Sequence, residues 1–206
     1  MVALEMQFKL QQKLQNHISM DLDIRTIDVE YYLNRGQELY VDEVYKNYNG
    51  QEELSKRLQG LVISVTLTTA SRTGVGIHPN SERWTIPPDV RYITEEFINT
   101  GTIAVKPVTT YYYNIQKNNP FKKPSSKLIW RMDMGNKTHE LIGYNGLTIS
   151  NYSLVYIKNP TEISILNTPN VDCEIAEEWH NEIIDKAVEF ALESYQIAGS
   201  LRTKQE

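Results

Sequence analysis

Three short patterns contain residue types that could do chemistry. Glu177 and His180 lie three residues apart, which is half of the paired Glu-x-x-His arrangement that holds a two-metal centre in a helical bundle. No other histidine has a glutamate three residues before it, so His180 is expected at a surface or an interface. The stretch 74–76 begins like a dinucleotide-binding loop. Pro79 stands where the last glycine belongs, however, so a plain loop is expected.

The third pattern is the one cysteine, Cys173, which lies between apolar Val171 and Ile175 at the head of a predicted helix. This setting predicts buried packing rather than a reactive thiol. One cysteine also excludes an internal disulfide and a cysteine-rich zinc site. No spacing brings together a nucleophile, a base and an orienting group. The residues alone therefore predict no catalytic residue, no metal site and no bound cofactor.

Charge divides the chain into three regions. Residues 1–60 carry a net charge of −3, residues 61–170 carry +4, and residues 171–206 carry −6. Nucleic-acid binding by counterion release needs clustered Lys and Arg, so the acidic ends cannot bind DNA by this mechanism. Acidic helices there are expected either to lie solvated at the surface or to repel a passing DNA strand. The middle region has a small basic cluster that could meet a phosphate backbone, an acidic partner or only solvent: Lys122, Lys123 and Lys127.

Composition is that of an ordinary globular chain, with 206 residues, 40% hydrophobic and 23% charged. No apolar run approaches the roughly 18 residues of a membrane span, so no membrane partner is expected. The interleaved polar residues at the N-terminus predict no secretory signal. The single cysteine favours synthesis in a reducing compartment. Thirteen tyrosines stand against four phenylalanines. Tyrosine suits half-buried surfaces and interfaces, because its ring is apolar and its hydroxyl needs a polar partner.

Hydrophobic spacing predicts helices at both ends of the chain. The first of them has a thin apolar stripe of Leu4, Phe8 and Leu14, and Thr26 is a good N-cap for the second. The predicted helices are, in order, Leu4–Leu14, Ile27–Tyr48, Glu52–Leu58 and Glu174–Ile197.

The middle of the chain changes to β-branched and alternating residues, which predict strands. Residues 70–81 predict a loop or hairpin tip, Val90–Phe97 a short helix after two prolines, and Tyr111–Gln116 a helical turn capped by Thr109 or Thr110. The predicted strands are Leu61–Thr68, Trp84–Ile86, Thr102–Val108, Leu128–Met134, Glu140–Tyr144, Tyr152–Lys158 and a short Ile163–Ile165.

This order of elements favours an α+β fold, with an antiparallel sheet core packed against a long N-terminal helix and a C-terminal helix. We expect a single structural domain in three parts. These are a helical region, 1–60, a β-rich region with extended loops, 61–170, and a C-terminal helix and tail, 171–206.

Several blocks of sequence resemble one family in the expected order. They are NPFKKP and LIWR within 119–131, IAVKPVT at 103–109, YSLVYIKNP at 152–160, CEIAEEWHNEIIDKAVEFALE at 173–193, EMQF at 5–8 and DVEYYLN at 28–34. Together they resemble structural proteins of crAss-like, short-tailed Bacteroidales bacteriophages that form rings in the neck and tail, next to the portal. The likeness covers most of the chain, but the stretch 70–86 matches no block of that family.

The resemblance implies a virion protein made in the host cytoplasm and assembled into a closed ring of twelve copies. Such a ring would act as a head-to-tail connector between the portal protein and other tail or ring proteins. DNA would pass through its channel without sequence-specific binding. The resemblance implies no catalytic residue and no cofactor.

A ring subunit needs side-to-side interfaces and a channel wall, and the sequence offers candidates for both. The loops 70–81 and Lys122–Lys127 are expected to reach neighbouring subunits. Candidate interface residues are Tyr111, Tyr112, Phe121, Lys122, Lys123, Lys127 and Trp130. Candidate channel-lining residues are Glu182, Glu189 and Glu193.

Two other functions remain open at this point. A DNA-binding accessory protein for packaging or replication would use the basic middle region, and its binding would weaken steeply with salt. A small phage enzyme with an unfamiliar site is the third alternative, although no group of residues supports it.

Overall fold

The computed structural model describes residues 1–17, 24–47, 56–99 and 101–202, with side chains as far as residue 195. The chain divides into two compact units, one formed by 1–61 with 160–206 and the other by 62–159. Within the described ranges, no helix is long and apolar enough to cross a membrane. We call the unit of 1–61 with 160–206 the helical unit, and the unit of 62–159 the sheet unit. The expectation of a single structural domain stays a prediction.

The described ranges contain helices at both ends and strands in the middle, which confirms the α+β prediction. The helices are α1 (Ala3–His17), α2 (Thr26–Lys46), α3 (Thr110–Gln116) and α4 (His180–Arg202). The strands are β1 (Val62–Thr68), β2 (Arg72–Val75), β3 (Ser81–Thr85), β4 (Val90–Ile98), β5 (Ile103–Pro107), β6 (Leu128–Asp133), β7 (Thr138–Ile142) and β8 (Asn151–Lys158). Most of the predicted helix Glu52–Leu58 lies outside the described residues.

In the helical unit, α1 buries one face built from residues at helical spacing, namely Ala3, Met6, Leu10 and Leu14. The predicted stripe was therefore wrong at two positions, because Leu4 and Phe8 are exposed. The start of α2 also differs from the prediction. Arg25 occupies the N-cap position without a side-chain cap, and Thr26 is the first helical residue.

The last helix begins later than predicted, at His180, after a 3-10 turn over Glu177–Trp179. It packs against α2 at Gly36, where an added Cβ would lie 2.6 Å from the Ile183 carbonyl oxygen and 2.8 Å from the Ala187 Cβ. Only glycine allows this approach of the two backbones.

We therefore expect Gly36→Ala to destabilise the helical unit by about 1–3 kcal/mol, although alanine is the better helix former. Thermal and denaturant unfolding would measure the loss. Glu38→Ala on the same helix is the control, because Glu38 is partly exposed and its i,i+3 ion pair with Arg35 lies at the surface. Equal stability of the two variants would contradict the close packing.

The sheet unit is one eight-stranded sheet in the order β1-β8-β4-β5-β6-β7-β3-β2. Every pair of neighbours is antiparallel except β5 and β6, which run parallel. The predicted antiparallel sheet is thus a mixed one. The helix α3 lies in the connection between these two parallel strands, because a parallel pair cannot be joined by a tight hairpin.

The predicted short helix over Val90–Phe97 was wrong, since this segment is the strand β4 in the interior of the sheet. It pairs with β8 on one side and β5 on the other, and two register shifts interrupt its pairing with β8. Pairing with distant strands outweighs the local signal from the preceding prolines. The predicted strand Ile163–Ile165 is only an isolated bridge between Ser164 and Val171.

The core of the sheet unit lies among the inward-facing side chains of its strands. Trp84, Tyr152 and Leu154 are fully buried within it, and their neighbours come from β1, β4, β5, β6 and β7. A smaller cluster of Tyr113, Trp130, Met132 and Ile142 lies under α3. This second cluster fixes the surface on which most of the candidate interface residues lie.

Candidate subunit interface

The short helix α3 is held by a side-chain cap and by two buried aromatic residues. Thr109 Oγ1 accepts a hydrogen bond from the Tyr112 amide at 3.2 Å, as predicted for one of the two threonines. Tyr113 points inward, and its ring lies 6.0 Å from the Trp130 ring in an edge-to-face arrangement. Tyr111 and Ile115 consequently face outward and are exposed.

The loop after α3 is folded tightly around Asn119. The Asn119 side-chain oxygen accepts from the Phe121 amide at 3.0 Å. Its carbonyl oxygen accepts from the amides of Lys122 and Lys123 at 3.2 Å and 3.0 Å. This turn holds Phe121 outward, where 95% of the residue is exposed. The turn thus presents a large apolar ring to the solvent.

The basic cluster lies on the same loop. Lys122, Lys123 and Lys127 are all exposed. The end of the loop is anchored to the sheet, because the Ala104 amide donates to the Lys127 carbonyl oxygen at 3.1 Å. We call the exposed set of Tyr111, Ile115, Phe121, Lys122, Lys123 and Lys127 the aromatic-basic surface.

Two candidate interface residues have other positions. Tyr112 is half-buried, and the ammonium group of Lys106 lies 4.7 Å from the centre of its ring. Trp130 is only 1% exposed and lies beneath Tyr112 and Tyr113. Trp130 supports the aromatic-basic surface from below and offers no area of its own to a partner. The role of the whole set in an interface stays a prediction.

The hairpin formed by β2 and β3 has an ordered tip, held by the buried carboxylate of Glu140. Its Oε1 accepts from Ser81 Oγ at 2.6 Å, from the His78 amide at 2.8 Å and from His78 Nδ1 at 3.0 Å. Burial favours a raised pKa for Glu140, but these hydrogen bonds outweigh it and hold the pKa below its ordinary value.

The serine hydroxyl and the histidine ring both bond to the carboxylate, and Ser81 Oγ also bonds to the His78 backbone carbonyl oxygen at 2.6 Å rather than to the ring. This differs from a catalytic triad, in which the histidine lies between the other two residues. The group acts as a clamp, and it leaves Val75 and Ile77 exposed near the tip.

A buried ionic network ties four strands of the sheet together, and the sequence analysis missed it. Glu96 of β4 accepts from the Tyr152 hydroxyl of β8 and pairs with Arg131 Nε of β6 at 3.0 Å. His139 Nδ1 of β7 lies 2.8 Å from the same Tyr152 hydroxyl oxygen. Burial raises the pKa of Glu96, and the positive charge of Arg131 offsets part of that rise.

The same surroundings keep His139 neutral, because burial and then the charge of Arg131 lower its pKa from 6.5 to about 4. The contribution of His139 to stability is therefore complete above pH 6.5 and is lost as the pH falls toward 4, by about 3 kcal/mol in all. Glu96 has the opposite effect on the pH dependence of stability. Because its pKa is raised in the folded state, the folded protein binds a proton at a higher pH than the unfolded chain does, and this stabilises the fold as the pH falls.

We expect His139→Asn to remove the His139 part of this pH dependence. Asparagine can still place a polar atom toward the Tyr152 hydroxyl but does not titrate. Denaturant unfolding of both proteins between pH 7 and pH 4 would show a steeper loss of stability in the wild type. Parallel curves for the two proteins would contradict the neutral, buried state of His139.

The candidate channel-lining residues lie along one side of α4, at spacings of seven and four residues. Glu189 and Glu193 are exposed. Glu182 is half-exposed and pairs with Arg57 Nη1 at 3.1 Å, so its charge is partly neutralised. The cation of Arg57 also lies 4.2 Å from the centre of the Trp179 ring. The position of this face along a channel stays a prediction.

His180 and Cys173, two residues whose types could do chemistry, both have structural roles. The predicted surface or interface position of His180 was wrong, since this residue is buried within the chain and its Nε2 hydrogen-bonds the Ile175 carbonyl oxygen at 2.7 Å. Cys173 is partly buried and donates to Gln37 Oε1 at 3.0 Å, and burial raises the pKa of its thiol to about 11. Among the described side chains, no three His, Cys, Asp or Glu residues could hold a metal ion together.

Comparison with known proteins assigns the family. The family model for phage tail ring protein 3/4 matches residues 26–203. The chain belongs to this family. Ring protein 3 of Bacteroides phage crAss001 is 25% identical to it over 204 residues, which cover 85% of this chain and 87% of that protein. Ring protein 4/5 of the same phage is 28% identical over 129 residues, 54% of each chain. The resemblance to crAss-like ring proteins seen in the sequence is confirmed.

Proposed function

We propose that this tail ring protein is a non-enzymatic subunit of a closed ring of twelve copies in the neck of the virion, near the portal. Family membership over residues 26–203 carries the proposal, since the names of the relatives describe rings. Contacts between neighbours in such a ring are head to tail, so each copy needs two different adhesive surfaces.

The aromatic-basic surface of the sheet unit would be one of these two surfaces. It combines an exposed aromatic ring with lysines on an ordered loop, and aromatic anchors supply much of the binding energy of protein interfaces. Its lysines would face an acidic surface on the adjacent copy or ring, and this complementarity would set the register between them.

The acidic side of α4 would face the channel. Exposed Glu189 and Glu193 would repel the phosphates of the genome, which would let DNA slide without sticking. This proposal accounts for the acidic balance of the last 36 residues without any sequence-specific contact.

We expect the double variant Glu189→Lys and Glu193→Lys to slow release of the genome from otherwise complete particles, because lysines would bind the passing phosphates. DNA release triggered in purified particles would measure the rate. The matched control is Glu189→Gln with Glu193→Gln, which removes the negative charge without adding positive charge. Release at the wild-type rate from the lysine variant would argue against a channel position.

A DNA-binding accessory role is the second candidate, favoured by the exposed lysines at 122, 123 and 127. Titration of the purified protein with duplex DNA at several salt concentrations separates the two functions. The accessory role predicts binding that weakens steeply with salt, and the ring role predicts negligible binding.

Quantitative mass spectrometry of purified particles tests the ring itself. The proposal predicts twelve copies of this chain for each portal ring. Absence of the chain from particles would overturn it.

A further inference from the structure

The two edges of the sheet are built differently. The edge strand β2 has only four residues, and its pairing with β3 shifts register between Arg72 and Gly74. It also carries the charge of Arg72, which pairs with Glu82 at 3.2 Å. Short length, a bulge and a charge are the usual devices that stop an edge strand from pairing with another chain.

The opposite edge strand, β1, has none of these devices. Its seven residues pair with β8 in unbroken register, from Val62 opposite Ile157 to Thr68 opposite Asn151. The run 61–71 contains no charged residue, no proline and no glycine. Within the described parts of the chain, the backbone groups on the outer side of β1 have no hydrogen-bond partner.

An edge of this kind is a template for a further strand, because its outward amides and carbonyls are already aligned. The exposed side chains at 62, 64, 66 and 68 do not obstruct an approaching strand by charge. An isolated protein with such an edge would be prone to aggregation. A protein whose edge is covered in its assembled state would not.

We propose that the outer edge of β1 receives an extended segment from a second copy of this chain, which continues the sheet across the contact between neighbours. This inference rests on the proposed ring. Two β1 edges that met each other would join only two copies, whereas a head-to-tail ring requires β1 to meet a different segment of its neighbour. The two edges agree with that requirement, because β2 is protected from pairing with another chain and β1 is open to it.

Hydrogen–deuterium exchange measures this contact directly. Amide exchange would be compared between the ring isolated from particles and the dissociated, folded chain. The outward amides of 62–68, which alternate along the strand, should exchange roughly tenfold or more slowly in the ring. Amides of β2 serve as the internal reference. A ring in which 62–68 exchange at the rate of the free chain would overturn the inference and leave the ring proposal standing.

Substitutions at Ser64, an exposed position in the middle of β1, give a second test. Ser64→Lys and Ser64→Glu place a charge of either sign on the edge, and both should reduce incorporation into particles at least about tenfold while circular dichroism and thermal unfolding stay as in the wild type. The control Ser64→Thr, uncharged and β-branched, should incorporate normally. Normal incorporation of both charged variants would contradict the inference. Absence of the wild-type chain from particles would instead overturn the proposed function.

Discussion

Replacing Arg131 by methionine is expected to lower the free energy of unfolding of the sheet unit by about 3–5 kcal/mol. The guanidinium group is the positive partner of the buried Glu96 carboxylate, at 3.0 Å. Methionine removes the charge and leaves that carboxylate in an environment that already raises its pKa. The folded state must then either keep an uncompensated charge or take up a proton. Chemical unfolding at pH 7, followed by fluorescence, would measure the loss.

Two further variants isolate the network from general effects of losing an arginine. Arg72→Met removes a more exposed partner, and its pair with Glu82 is worth less than about 1 kcal/mol. Adding Glu96→Gln to Arg131→Met should restore part of the lost stability, because the unpaired charge is gone while the Tyr152 hydroxyl keeps an acceptor. Equal losses for Arg131→Met and Arg72→Met would contradict the buried ion pair.

Replacing Phe121 by aspartate is expected to prevent assembly without unfolding the protein. Phe121 is almost fully exposed, so folding gains little from its ring. In a ring, the same side chain would be buried against the neighbour, and loss of such an anchor typically weakens an interface by about 2 kcal/mol or more, roughly 30-fold in affinity. Because each ring repeats the contact at every subunit, the effect on assembly is multiplied.

The control for Phe121→Asp is Ile27→Asp. Ile27 is also an exposed apolar residue, but it lies in the first turn of α2, where an acidic side chain is tolerated. Sedimentation of the purified proteins and their incorporation into particles would be compared. Normal incorporation of Phe121→Asp, or equal loss in both variants, would count against the aromatic-basic surface as the interface.

Local signals in the sequence located most of the elements. The cap at Thr109 and the alternating residues of β1 and β8 can be recognised from neighbours in the chain. The strand β4 could not be recognised in this way, because two prolines before it and the pair Glu95-Glu96 within it are typical of the start of a helix. Its identity as a strand depends on pairing with β8, about sixty residues away in the chain.

The candidate site shows the same division. The exposure of Phe121 and the lysines follows from the turn at Asn119, which the sequence marks clearly. The burial of Trp130 depends on how α3 folds over β6, which no local pattern reveals. The network of Glu96, Arg131, His139 and Tyr152 combines residues from four strands. A glutamate within a segment of β-branched and aromatic residues was the one available signal for it.

Electron cryomicroscopy of intact particles would show where this protein lies and how many copies surround the tail axis. We expect a ring of density near the portal in which this fold repeats around the tail axis, with the aromatic-basic surface at a contact and α4 toward the channel. Density that accommodates the fold nowhere in the particle, or places it as a single copy away from the axis, would contradict its assignment to a ring.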